Sequence, residues 1–153
     1  MKLTEAKLKQ LIRESMGLSQ NYNKLKTLMT TEEGFFQAQS LFEMIEDTFD
    51  PRERTFLKTY FDTIDLAKEV RSLMLERDAA QEKYDKIEIK LLQGAPIDAE
   101  ADRAYSESIR TSNAHFKAKN KFDTKMSTML KHGDRSIFHV VNSITGKILK
   151  GKI

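Results

Sequence analysis

The residue types that most often carry chemistry are thinly spread in this chain. Three histidines stand at positions 115, 132 and 139. No two of them lie one helical turn apart, as a paired metal motif on a helix requires. Neither a glutamate-x-x-histidine pair nor a calcium loop occurs. Thr145-Gly146-Lys147 ends like a phosphate cradle but lacks the glycine-rich run before it, so it reads as a turn. A serine nucleophile elbow and a dinucleotide fingerprint are both missing. Cysteine is absent, which excludes a thiolate nucleophile, a disulfide framework and a cysteine zinc site. Carboxylates are plentiful, but they sit among lysines at helical spacing, as Glu82 and Lys86 do. That is the pattern of a solvated helix face. The expectation is a chain that is not an enzyme, with no catalytic residue, no metal and no cofactor.

Charge is more informative than motif. Residues 31–62 hold eight acids and three bases, a balance of −5, whereas residues 115–153 hold nine bases and two acids, a balance of +7. In the basic stretch Lys117, Lys121 and Lys125 follow one another at four-residue spacing, with Lys119, Lys131 and Arg135 nearby and Phe116 and Phe122 interleaved. Such a stripe can displace counterions from a nucleic-acid backbone, and with few arginines and aromatics to read bases the contact would be sequence-blind. The same stripe also suits an acidic protein partner, or simply a wet helix face that complements the dipole at a helix end.

The elements that would position these residues are mostly helices. At 39% apolar and 32% charged, with two prolines and six glycines in 153 residues, the chain suits long helices with wet outer faces. Residues 4–16 carry Leu8, Leu11, Ile12 and Met16 on one stripe, with Thr4 as N-cap and Gly17 as the stop. Thr30 with Glu33 forms a capping box for a helix striped by Phe35, Ala38, Leu41/Phe42, Ile45 and Phe49. Asp50-Pro51-Arg52-Glu53 is the clearest start signal, with a cap, proline at the first helical position and glutamate closing the box. The helix it opens runs unbroken from about 51 to 93, where Gly94 and Pro96 stop it. Its stripe is Leu57, Tyr60, Ile64, Ala67, Val70 and Met74, resuming at Tyr84, Ile87 and Leu91.

Asp98 caps a partner helix reaching 132, striped by Ala101, Tyr105, Ile109, Ser112, Phe116, Phe122, Met126 and Met129/Leu130. Two long helices joined by a few residues should fold back as an antiparallel hairpin. The seam weakens where Arg77 and Gln81 replace apolar residues, so the hairpin should be thin there or covered by another chain. The final segment is β-branched, with Ile137, Phe138, Val140 and Val141 ahead of Thr145-Gly146, and Ile148 and Leu149 after it. It reads as a β-hairpin whose strands must pack on the helices or pair with a partner's strand.

The fold class expected is therefore mainly α: an N-terminal helical cluster, the long hairpin over about 51–93 and 98–132, and a C-terminal β-hairpin. In domain terms these are an amphipathic segment at 1–16, a helical domain at 17–132 and a tail at 133–153. Six of the nine phenylalanines fall between residues 35 and 61. They form either the core from which the hairpin projects as an arm or an exposed groove for a partner helix. No apolar run approaches the ~20 residues that span a bilayer, and no secretory signal opens the chain. The expected location is the cytoplasm at synthesis.

The opening "MKLTEAKLKQLIRES" has two readings. It packs on the body as an ordinary helix, or it is a recognition segment tethered by "GLSQNYN". It resembles the basic N-termini of many small proteins of marine tailed phages. It is also similar to the capsid-targeting peptides of T-even-like myoviruses, which a prohead protease removes after an aliphatic-x-glutamate motif. The resemblance implies a phage origin, a virion or prohead role, and processing at Ile12-Arg13-Glu14 ahead of Ser15. Three functions are expected: from the long arm, the unpartnered hairpin and the lack of catalytic motifs, a non-enzymatic helical assembly protein, which the resemblance makes an accessory or minor component of a virion; from the basic stripe, a sequence-independent nucleic-acid-binding protein; or a modulator that holds a host protein through the acidic aromatic region. The partners expected are proteins, whether virion components or other copies of the chain, with nucleic acid the weaker alternative and no membrane.

Overall fold

The computed structural model describes Thr4, Glu5, Lys7, Leu8 and residues 18–153. Thr4 starts a helical turn, its hydroxyl accepting from the Lys7 amide at 3.2 Å. The stripe residues Leu11, Ile12 and Met16, the stop at Gly17 and the processing site Ile12, Glu14 and Ser15 lie outside the described residues.

Five helices follow: α1 (Leu18–Leu28), α2 (Glu32–Ile45), α3 (Pro51–Leu92), α4 (Ala99–His132) and α5 (Arg135–Leu149), with a 3-10 turn at Glu46–Thr48 after α2. The polar stretch read as a tether is helical from Leu18 on, with Leu25 of α1 and Met29 of the turn that follows it buried in the core. The cap of α2 lies one residue later than expected. The Thr31 hydroxyl accepts from the Gly34 amide at 3.0 Å, while Thr30 turns back to the Thr27 carbonyl. At the start of α3, Asp50 accepts from the Glu53 amide at 2.8 Å and Glu53 from the Asp50 amide at 3.3 Å, with Pro51 at the first turn. Gly94, at φ +94°, ends α3 in a backbone conformation that an L side chain rarely adopts. Asp98 then caps α4 through the Ala101 amide at 2.9 Å.

The C-terminal β-hairpin does not form, and no strand occurs among the described residues. Residues 135–149 are helix α5, capped by Asp134 through the Ile137 amide at 3.1 Å. β-branched composition suggested strands, but the apolar positions 137, 140, 141, 144 and 148 recur at three and four, which is a helical face. Ile137, Val140, Val141, Ile144 and Ile148 are all buried on that face, and Phe138 and Leu149 pack half-buried beside them. Burial of this stripe outweighs a modest local β preference. Thr145-Gly146 lies within the helix and is no turn.

The core brings α2, α5 and the first half of α3 together. Phe61 stands 5.3 Å from Phe35 and 5.2 Å from Phe42 between ring centroids, and Phe42 stacks on Phe49 at 5.9 Å. Phe35, Phe42, Phe49 and Phe61 are buried, each contributing roughly 1.5–3 kcal/mol by burial. The phenylalanine cluster is thus a core and offers no groove; Phe36 is its one exposed ring. α5 runs along α3 in the same direction. The Asp134 amide donates to the Tyr60 hydroxyl at 2.8 Å near its start, and Arg71 donates to the Leu149 carbonyl at 3.1 Å at its end. Glu32 joins α2 to α5, accepting from Lys147 at 2.7 Å and from the Ser143 hydroxyl. Beyond Arg71 neither α2 nor α5 accompanies α3 and α4. They continue as a two-helix arm roughly 30 Å long at ~1.5 Å per residue.

Two glycines test this arrangement. Nothing lies within 4 Å of a Cβ built on Gly146, whereas one on Gly133 meets the Tyr60 hydroxyl and comes within 2.6 Å of the Met129 carbonyl. Gly146→Ala, mid-helix, should raise stability by about 0.5–1 kcal/mol, and Gly133→Ala should lower it by about 1–3 kcal/mol. Denaturant unfolding measures both. Loss of stability in Gly146→Ala would contradict a helical C-terminus.

Candidate docking surface on the arm

The pairing of α3 with α4 determines what each face of the arm presents. Thr63 meets the Met129 sulfur at 3.8 Å in the head, and Arg77 meets His115 at 3.1 Å further out. Tyr84 and Tyr105 stand 5.5 Å apart between centroids beyond that. These pairs define one antiparallel register along the whole hairpin. The residues of α4 buried in it are Ala101, Ala104, Ser108, Thr111, Ala118, Phe122 and Met129. They follow the three-four spacing of a heptad seam, with small residues through the arm and large ones only in the head. Ser108 and Thr111 satisfy their hydroxyls on the carbonyls of Tyr105 and Glu107 in their own helix.

The stripe expected to pack on α3 coincides with this seam at Ala101, Phe122 and Met129 and departs from it between them. Tyr105, Ile109 and Phe116 are 52%, 42% and 65% exposed, and Leu130 further along the same flank is exposed as well. They sit one residue out of phase with the true seam, so about 100° around the helix from it. α4 therefore carries two heptad stripes: small residues turned to α3, and larger apolar residues turned outward. The outward stripe is the surface that the sequence alone did not reveal, since large side chains were taken to mark the buried face.

The lysines divide between flanks. Lys117, Lys121 and Lys131 are exposed on the side of α4 away from Phe116, and Lys125 is half-buried toward the seam. Lys119 lies on the apolar flank, and Arg135 is exposed in the first turn of α5. None of the six forms an ion pair with a described residue. Arg103 and Arg110 extend the basic side toward the tip, although Arg110 is engaged by Glu107. The former hairpin residues Ile137, Val140, Val141 and Ile148 are spent in the core of their own chain, so no strand is left to offer a partner.

The histidines do not converge. His132 and His139 are exposed, His115 is in the seam, and no group of His, Asp and Glu suited to a metal occurs among the described residues. Thr145-Gly146-Lys147 is helical and Lys147 is paired with Glu32. No helix among the described residues is long and apolar enough to cross a membrane. Comparison with protein-family models, with curated proteins and with solved structures gives no match to this chain.

His115 is the one seam residue whose charge responds near neutrality. Arg77 has only donors to offer, so the His115 Nδ1 accepts and the ring is neutral. Burial first, then the Arg77 guanidinium and Lys119, lower its pKa, with Asp78 opposing weakly. A lowered pKa means that the unfolded chain takes up this proton before the folded one does. The His115 contribution is at its full value above about 6.5 and is lost as pH falls below it. His115→Gln has no proton to take up there. The melting temperature of the native chain should therefore drop relative to His115→Gln as pH is lowered from about 7.5 to 5.5. Parallel profiles would contradict a neutral histidine held beside Arg77 in the seam.

Proposed function

We propose that this chain is a non-enzymatic helical assembly protein, with the five-helix head as its anchor and the two-helix arm as its docking element. The observation that carries this reading is the outward stripe of α4, where Ile109 and Phe116 stand exposed and Tyr105, though its ring edges toward Tyr84, is half exposed beside them. Internal packing uses only part of Tyr105, through Tyr84, and leaves Phe116 largely exposed next to a seam to which α4 contributes alanine, serine and threonine. Interfaces are enriched in such aromatic and aliphatic anchors and depleted in charge at their centres. The docking mode that suits the arm is helix against helix. The strand addition expected for the C-terminus has no strand to use.

The N-terminal resemblance supplies the setting for this proposal: a protein made in the host cytoplasm and carried as a minor or accessory component of a phage virion or prohead. Mass spectrometry of purified particles and proheads tests it. Peptides of this chain should be present at a constant ratio to the shell protein, and Phe116→Glu should abolish incorporation while leaving helicity intact. Absence from both particles and proheads would refute the reading.

A second reading rests on Lys117, Lys121 and Lys131, which line one side of α4 without an ion-pair partner among the described residues. They suit a sequence-blind contact with a nucleic-acid backbone. That contact should bind plain duplex at ~50 mM salt and weaken steeply at ~200 mM. No binding at the lower salt would end it.

A further inference from the structure

The outward stripe of α4 reads the same in both directions. Its positions are Asp102, Tyr105, Ile109, Ser112, Phe116 and Lys119, spaced three and four as in a coiled-coil seam. Asp102 and Lys119, Tyr105 and Phe116, and Ile109 and Ser112 are three pairs with a common midpoint, between residues 110 and 111. Each pair joins complementary partners: acid with base, ring with ring, aliphatic with small. The residues flanking the stripe on its outer side, Ser106, Asn113 and Asn120, are uncharged and exposed. The opposite side of the same helix carries Arg103, Glu107, Arg110 and Lys117.

We propose that the occupant of this stripe is the stripe itself on a second copy of the chain, the two α4 helices packing antiparallel about a two-fold axis between residues 110 and 111. The idea rests on the assembly reading above and names its partner. In this register Tyr105 meets Phe116 of the second copy and Ile109 meets Ser112 of the second copy, each contact occurring twice because the interface is isologous. Asp102 and Lys119 close the two ends as opposite charges. Antiparallel coiled-coil layers pair the two alternating heptad positions with each other, and the three matches do this. A parallel arrangement would set Asp102 on Asp102 and Lys119 on Lys119, so charge selects the antiparallel one. The favourable register spans residues 102–119, roughly 27 Å of helix. It ends where Asp123 meets the capping residue Asp98 of the second copy. The small-residue seam between α3 and α4 lies to the side of this contact, so pairing turns two thin arms into a four-helix bundle with a head at each end.

Sedimentation of the full chain over about 1–300 µM tests the pairing, with circular dichroism confirming unchanged helicity in every variant. The native chain should pass from monomer to dimer in this range, and Phe116→Glu should weaken the dimer about a hundredfold. Asp102→Lys and Lys119→Asp should each weaken it about tenfold, and the double exchange should restore it. Because the chain has no cysteine, Ile109→Cys and Ser112→Cys can be mixed and oxidised. The mixed disulfide dimer should form well ahead of either homodimer. A native chain monomeric throughout, with Phe116→Glu still abolishing incorporation into particles, would overturn self-pairing and leave the assembly reading intact. Monomer with incorporation unaffected by Phe116→Glu would overturn both. A dimer insensitive to the charge exchanges, or one preferring homodimer disulfides, would overturn the register.

Discussion

Close approach of α3 and α4 in a single antiparallel register is the constraint on which the rest of this molecule depends. In the head that register is secured by large side chains: Phe122 and Met129 of α4 lie in the same core as Tyr60, Ile64 and Val70 of α3. In the arm the buried residues that carry it onward are Ala101, Ala104, Ser108, Thr111 and Ala118, met by half-buried Tyr84, Ile87 and Leu91 of α3. Small residues let two backbones approach, but they bury little apolar area, so the arm gains far less per turn than the head does. Its seam also includes a polar layer at Arg77 and His115. The register of the arm is thus inherited from the head and only weakly reinforced along its length.

The head does this through polar ties as well as packing. Tyr60 receives the Asp134 amide and occupies the space a side chain at position 133 would need, which holds the α4–α5 corner against α3. Arg71 holds the far end of α5 through the Leu149 carbonyl. That contact marks where the multilayered body stops and the arm begins. The small-residue seam and the outward stripe have complementary consequences. By using alanine, serine and threonine internally along the arm, α4 leaves Ile109 and Phe116 exposed and Tyr105 half exposed beside Tyr84.

Capping chemistry made the helix boundaries legible in the sequence. Asp50-Pro51-Arg52-Glu53 and Asp98 start their helices where the residue types say they should, and Gly94 stops α3, because each acts on backbone groups within a few residues. The phase of α4 was legible in the head, at Phe122 and Met129, but not in the arm. Choosing between two heptad stripes one residue apart means knowing how closely α3 approaches, and that distance is set by tertiary packing. The C-terminal segment misled for a related reason. Ile137, Val140, Val141 and Ile144 have the composition of strands but the spacing of a helix, and burial against α3 follows the spacing. The shift of the α2 cap from Thr30 to Thr31 is smaller in kind, since two adjacent threonines offer the same hydroxyl and only the entry path of the chain separates them. The surface proposed for docking is invisible to motif reading altogether, because it becomes a surface only once the true seam is known.

The central claim is that a firmly packed head holds out a marginal arm whose outward face is completed by a second copy. Hydrogen exchange along α4, followed at protein concentrations well below and well above dimer formation, tests it most directly. The account predicts strong protection at 122–130 under both conditions. Over 104–118 it predicts weak protection in dilute samples, rising markedly in concentrated ones. Equal protection along the whole of α4, or an arm indifferent to concentration, would contradict it.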